Sequence, residues 1–180
     1  PLFAGSAALV ANGEVYNYRE LRQDNQLACA TGSDCEPPLH LYRRDGIGFA
    51  ETLRGMYAIA IHDRAMRRVV LARDPFGIKP LYLAEIADGI AFASEPQALV
   101  AAGLVQPRLR REALNELLQL QFTTGAETVF QGITRLLPGE TVVLADGDRV
   151  EAGGVIDCRG PGELRHLDLG WQKFVGQELV

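Results

Sequence analysis

Met56-Tyr57-Ala58-Ile59-Ala60-Ile61-His62, followed by Asp63 to Arg67 and then Arg68-Val69-Val70-Leu71-Ala72, reads as one hairpin. Apolar residues alternate in the first arm, the polar middle turns, and a β-branched run returns. Neighbouring segments carry the same signal. Ala7 to Tyr16 reads as a strand. Leu81 to Glu85 and Ile90 to Ala93 flank the turn residues Asp88-Gly89. Glu140 to Leu144 and Arg149-Val150 flank Asp146-Gly147. Helices are predicted between them. One runs from Asn17 to Arg22, with Asn17 as cap. A second follows Asp34 as cap, with Glu36 and Pro37 in its first turn, and reaches Arg44. A short one spans Phe49 to Arg54. Another, capped by Ser94, runs to Ala101. Leu114, Leu117, Leu118 and Phe122 recur at helical spacing and predict a helix over Arg110 to Phe122. Hairpins without βαβ crossovers predict antiparallel sheets with helices on their faces, an α+β domain.

Bulk properties narrow the function. The 180 residues are 47% hydrophobic and 23% charged, enough for one folded domain. The net charge of −5, with both signs interspersed, argues against nucleic acid as a partner. No apolar run is long enough to span a bilayer, and no membrane role is expected. Cys29, Cys35 and Cys158 lack CxxC spacing. They predict reduced thiols in a cytoplasmic protein, with no disulfide framework and no zinc or other metal site. His40, His62 and His166 are scattered and read as structural or surface residues. From Gly153 onward periodicity fades, and residues 151–180 read as a linker or the start of another domain.

Three phrases carry candidate chemistry. Asn12-Gly13-Glu14 offers a side-chain amide, a backbone N–H approachable over a glycine, and a carboxylate. By local rules Asn12-Gly13 is also the strongest short signal for a type I′ hairpin turn. Asp34 reads either as a helix cap or as a carboxylate facing an ammonium group. The run from Arg73 to Tyr82, through Asp74, Gly77 and Lys79, reads as strand, turn and strand, with any Arg73–Asp74 interaction structural.

Taken in order, six phrases resemble the glutaminase domain of class II, N-terminal-nucleophile amidotransferases of the asparagine synthetase type. They are Ala11 to Asn17, Thr31 to Glu36, Leu53 to Ala58, Arg73 to Tyr82, Phe92 to Glu95, and Leu136 to Glu140. The resemblance covers residues 1–150. It implies a four-layer αββα sandwich of antiparallel sheets. It also moves Asn12-Gly13 from a turn to an active site, where both match the family's oxyanion hole. Glu14 and Asp34 match residues that hold the α-amino group of glutamine. The segment bearing the family's catalytic cysteine is expected to lie outside this chain, whose Pro1 falls where the family has an internal segment. The chain alone is therefore expected to be inactive, and marginal in stability or dependent on a partner.

The partners implied are L-glutamine and a synthetase domain that uses ATP and magnesium, with a homodimer also compatible. No cofactor is implied for this chain itself. Leu136 to Glu140 resembles the passage toward that synthetase domain, and Pro38 is expected to distort the helix that follows Asp34. Two alternatives stand beside the leading reading. One is a glutamine-binding or scaffold module without a nucleophile. The other is a class II amidotransferase with a different acceptor.

Overall fold

The hairpin over residues 56–72 forms the middle of the large sheet. The computed structural model describes residues 1–86 and 89–145, and the backbone of 150–153. In chain order the elements are β1 (Leu2–Ala4), β2 (Ala7–Val15), α1 (Tyr18–Asp24), α2 (Glu36–Asp45), a 3-10 helix (Gly46–Thr52), β3 (Gly55–Asp63) and β4 (Arg68–Arg73). They continue with β5 (Tyr82–Ile86), β6 (Gly89–Ala93), α3 (Pro96–Ala101), α4 (Arg111–Leu120), β7 (Ile133–Arg135), β8 (Thr141–Ala145) and β9 (Val150–Gly153). Six strands pair in the order β1-β2-β3-β4-β8-β9, and three in the order β6-β5-β7. Each of these pairings is antiparallel.

The period-2 alternation of the strands divides the apolar side chains between two faces. Tyr57, Ile59 and Ile61 of β3, Val70 and Ala72 of β4, and Val143 of β8 turn toward α2 and the 3-10 helix. There they meet Leu39, Leu41, Tyr42, Phe49 and Ala50. Ala58, Ala60, Leu71, Val142 and Leu144 turn the other way, onto Leu81, Leu83 and Leu136. A third cluster, Ala84, Leu99 and Ile133, lies between the small sheet and α3. Three clusters between four layers make an αββα sandwich, the predicted fold class. Each large apolar side chain fully buried in this way contributes about 1.5–3 kcal/mol. The turn between β3 and β4 is tied to the helix layer by Asp63. Its carboxylate accepts from the Ala65 and Met66 N–H groups and from the Tyr42 hydroxyl at 2.9 Å.

Several local expectations give way to tertiary contacts. The strand β2 runs straight through Asn12-Gly13, paired in register with β3 from Ala7↔Asp63 to Val15↔Gly55, so no turn forms there. Asn17 occupies the cap position of α1 but makes no capping bond. Its side chain instead donates to Thr52 O and accepts from Arg54 N–H, both at 2.9 Å, which fastens the end of β2 to the start of β3. Ser94 does not cap α3, whose cap position is Glu95. Pro38 leaves α2 intact. It lies in the first turn, where backbone N–H groups have no intrahelical partner to lose. The predicted helix over Arg110 to Phe122 forms as α4 but stops at Leu120, where Gln121 turns left-handed at φ +64°; Leu118 is 84% exposed and Ala113 is the buried contact.

Leu136 to Glu140 is not a passage out of the domain. It delivers the chain from β7 into β8, inside the large sheet, and locks onto the Arg73–Tyr82 loop. Arg73 donates to the carbonyls of Lys79, Gly77 and Leu136. The wholly buried Asp74 carboxylate accepts from the N–H groups of Tyr57, Phe76, Ile78 and Lys79. The hydrogen bonds of both side chains thus go to backbone, which accounts for the phrase structurally. A Cβ on Gly77, at φ +62°, would meet Pro138 Cγ at 2.8 Å, so these two phrases require each other. Asp88, Asp146 and Gly147, the expected turn residues, and the 154–180 tail lie outside the described residues.

Candidate functional site

At the carboxyl end of β2, strand geometry sorts the candidate groups. Val15 N–H donates to Asp34 Oδ2 at 2.8 Å, so it points away from β3. Tyr16 N–H bonds Arg54 O on the β3 side. Backbone groups alternate in an antiparallel ladder. Gly13, two residues before Val15, therefore turns its N–H and C=O toward the same outer edge as Val15. Tyr57, the partner of Gly13 in register, confirms this alternation: its own N–H and C=O bond Asp74 on the far side. The strand β1 pairs with β2 only through Ala7, Ala8 and Leu9, so no strand among the described residues occupies the edge beside Gly13. Asn12 is exposed, and its side-chain amide makes no hydrogen bond among the described residues. Two N–H donors from adjacent residues thus remain available.

Gly13 is required by close approach. Its φ is +146°, and a Cβ there would lie 2.0 Å from Met56 O. Gly55, at φ +153°, answers it from the opposite strand, where a Cβ would lie 2.1 Å from Glu14 O. Together the two glycines let β2 and β3 approach at the end of the ladder.

Asp34 reaches this strand end from a short loop whose shape two charged side chains impose. Arg22 Nη2 donates to Thr31 O at 3.0 Å and Ser33 O at 2.7 Å. Glu36, only 2% exposed, accepts from Ala30 N–H at 2.6 Å, Thr31 N–H at 2.7 Å and the Thr31 hydroxyl. Burial alone would push the Glu36 carboxyl up. The bonds from Thr31, Ala30 and His40 outweigh it and hold the group down at about 2. The cap expected of Asp34 is therefore corrected. Its carboxylate leaves the helix and binds the strand, because the loop held by Arg22 and Glu36 aims it there.

The four predicted residues, Asn12, Gly13, Glu14 and Asp34, are brought to one strand end. Glu14 is exposed, and neither it nor Asp34 has an ion-pair partner among the described residues. Both charges act on one neighbour, Cys35, whose thiol lies 3.7 Å from Asp34 Oδ2 and 3.9 Å from Gly13 O. Burial first, then Asp34 and Glu14, push that thiol up to about 11. Fewer than about one Cys35 in a thousand is ionised at pH 8, so it is no nucleophile. In a limiting iodoacetamide reaction at that pH, Cys35 is expected to alkylate at least about tenfold more slowly than the less buried Cys29, read by peptide mass spectrometry. Equal rates would show that the thiol is not shielded.

Arg22, Glu36 and Asn17 were not legible as site residues. Arg22 acts through backbone carbonyls, which leave no sequence signature. Glu36 resembles an ordinary first-turn acid. Asn17 carried a signal only as the last residue of the Ala11–Asn17 phrase.

Fold and site together define a class: an αββα domain of two antiparallel sheets, with N–H donors at the end of one strand beside carboxylates uncompensated among the described residues. Residues 1–152 match the family model described as a glutamine amidotransferase domain, and the chain belongs to that family. It is 46% identical over 96 residues to asparagine synthetase [glutamine-hydrolyzing] 2 of Bacillus subtilis, a match to 53% of this chain and 13% of that protein. It is 37% identical over 144 residues to asparagine synthetase [glutamine-hydrolyzing] 1 of the same organism, 78% of this chain and 23% of the relative. The chain thus corresponds to under a quarter of the length of either. Among solved structures, glutamine phosphoribosylpyrophosphate (PRPP) amidotransferase from B. subtilis, complexed with ADP and GMP, shares the fold. Its TM-score is 0.58, at 24% identity, over 84% of this chain and 30% of its own.

Proposed function

We propose that this chain is the glutamine-binding part of a glutamine-hydrolysing amidotransferase, with asparagine synthase (glutamine-hydrolysing) as the leading identity. The carrying observation is the pair of carboxylates, Glu14 and Asp34, that lack a cation among the described residues, beside the free donors of Asn12 and Gly13. Free glutamine carries an α-ammonium group that two carboxylates match. The carbonyl of its side-chain amide becomes an oxyanion on attack. In this reading Glu14 and Asp34 hold the ammonium group. Asn12 Nδ2–H and Gly13 N–H stabilise the oxyanion, a role in which one lost donor typically costs about 100-fold or more in rate. Arg22 and Glu36 position Asp34 through the loop they hold. The ammonia released supplies an ATP-dependent amidation, and no residue of this chain is assigned to ATP or magnesium.

The attacking group comes from outside the described residues. Cys35 stays protonated, and Cys29 lies beside Glu36 and His40. Chemistry from the described residues alone is therefore expected to be absent. A second reading is a glutamine-binding module that has no nucleophile. An amidotransferase with another acceptor would use the same site.

The test is ammonia release and glutamine binding by the product of the full reading frame, with Asp34→Asn beside it. The amide oxygen of that variant can still accept from Val15 N–H, so the fold is kept while the charge is lost. Glutamine affinity is expected to fall about 30-fold or more, in line with the ~2 kcal/mol lost when a charge partner is removed. Undiminished glutamine affinity in Asp34→Asn would sink the assignment of the ammonium site. Binding without ammonia release would select the module.

A further inference from the structure

Beside the first turns of α2, three side chains of different chemistry converge. Glu36 and His40 are four residues apart on α2 and so share one face of the helix. Cys29 comes from the loop that precedes them. Cys29 Sγ, a Glu36 carboxylate oxygen and a His40 ring nitrogen all lie within 4.8 Å of one another. Sequence spacing excluded a metal here, because the thiol is contributed by a loop and no CxxC or HxxxH pattern marks the set.

We infer that Cys29, Glu36 and His40 form a binding site for a zinc ion. Distances support it. His40 Nε2 and Glu36 Oε1 are 3.4 Å apart, long for a hydrogen bond. A tetrahedral zinc with bonds of about 2.0–2.3 Å holds its donors roughly 3.3–3.7 Å apart, so these two atoms already have the separation of two ligands on one ion. Cys29 Sγ needs to close by only about 1 Å, which a loop side chain can do by rotation.

Ligand chemistry supports it as well. Thiolate, imidazole and carboxylate together select zinc over magnesium or calcium, which take oxygen donors. One thiolate and one carboxylate neutralise the dication, so burial of the complex carries no net charge. Around the ligands, the backbone N–H groups of Ala30 and Thr31 hold the Glu36 carboxylate, which fixes its orientation before an ion arrives. Arg22 acts electrostatically on Cys29, and its Nε is buried without a hydrogen-bond partner. A zinc-bound thiolate would give the Arg22 guanidinium an anionic neighbour. With three protein ligands, the fourth position is left for water or an exogenous ligand. Because Cys29 and Glu36 bracket the loop, an ion here would also stiffen the mount of Asp34.

The experiment loads the EDTA-treated full chain with Zn2+ in competition with a chromophoric chelator. Co2+ is used in parallel, because its charge-transfer absorption reports a metal–thiolate bond. One equivalent is expected to bind, with a thiolate band for cobalt. Cys29→Ser is expected to abolish that band, and His40→Ala to weaken zinc at least about tenfold, within the range by which ligand surroundings change metal affinity. Both side chains are partly buried, with His40 19% exposed, and an unchanged far-ultraviolet circular dichroism spectrum will show that each variant is folded. Zinc binding that is equally tight in wild type, Cys29→Ser and His40→Ala would overturn the site. So would a cobalt band that persists in Cys29→Ser, since the thiol would then be Cys35 or Cys158. No measurable binding to the folded wild-type chain would overturn it too.

Discussion

Gly13→Ala is expected to destabilise the folded chain by about 3 kcal/mol or more and to remove glutamine binding. Two costs combine. A φ of +146° strains any residue with a Cβ, by about 1–3 kcal/mol. The new methyl would also lie 2.0 Å from Met56 O and 2.7 Å from Tyr57 Cα, both backbone atoms, so no rotamer change can relieve the clash. Overpacking of this kind costs a further ~1–3 kcal/mol. The strands β2 and β3 would part at the end of their ladder, where Asn12, Glu14 and the Val15–Asp34 bond are placed. Denaturant unfolding measures the first effect, and glutamine titration the second. A variant with an unchanged midpoint would show that the strands are not held this closely. Gly32→Ala is a fair contrast, because a Cβ there meets nothing within 4 Å.

Asp74→Asn is expected to cost about 3 kcal/mol or more, although it changes one atom. The carboxylate accepts four backbone N–H groups, Phe76 and Ile78 on Oδ1 and Tyr57 and Lys79 on Oδ2. An amide in its place has one accepting oxygen, and its NH2 would face two donors. Each buried N–H left unpaired costs about 1–3 kcal/mol. The loss should appear as a lower midpoint of thermal or chemical unfolding. The glutamine affinity of the molecules that remain folded should change little, since Asp74 organises the Arg73–Tyr82 loop and not the end of β2. If stability held while glutamine affinity fell, the structural account of that phrase would be wrong.

The antiparallel architecture was legible because it rests on local periodicity. Residues 56–72 carry the alternation, polar turn and β-branched return of a hairpin, and that hairpin forms; the division of its side chains between two cores appears only in the structure. The turn over Asp63 to Arg67 followed from polar residues that bond their own backbone. Short strands escaped. Neither β1, with three residues, nor β7, also with three, is long enough to show a period. The stripe of Leu114, Leu117 and Leu118 gave the helix that forms as α4, but spacing says only that one side is apolar, and nothing in the described residues covers Leu114 and Leu118.

The site divides in the same way. Asn12, Gly13, Glu14 and Asp34 could be named from the order of short phrases, so their chemical types were settled within the chain. Their arrangement was not. A turn at Asn12-Gly13 and a cap at Asp34 are the lowest-energy local choices, and both lose to long-range partners. Gly13 meets Met56 across the ladder, Asn17 closes on residues 52–54, and Asp34 finds the Val15 N–H nineteen residues before it. A local turn or cap is worth about 1 kcal/mol. Pairing nine consecutive residues of β2 with β3, with a core on one side, outweighs it. Residue chemistry and strand periodicity belong to the sequence. Which donors stay free, which carboxylates go without a cation, and which thiol is silenced depend on contacts between segments distant in the chain, and those exist only once the sheets have closed.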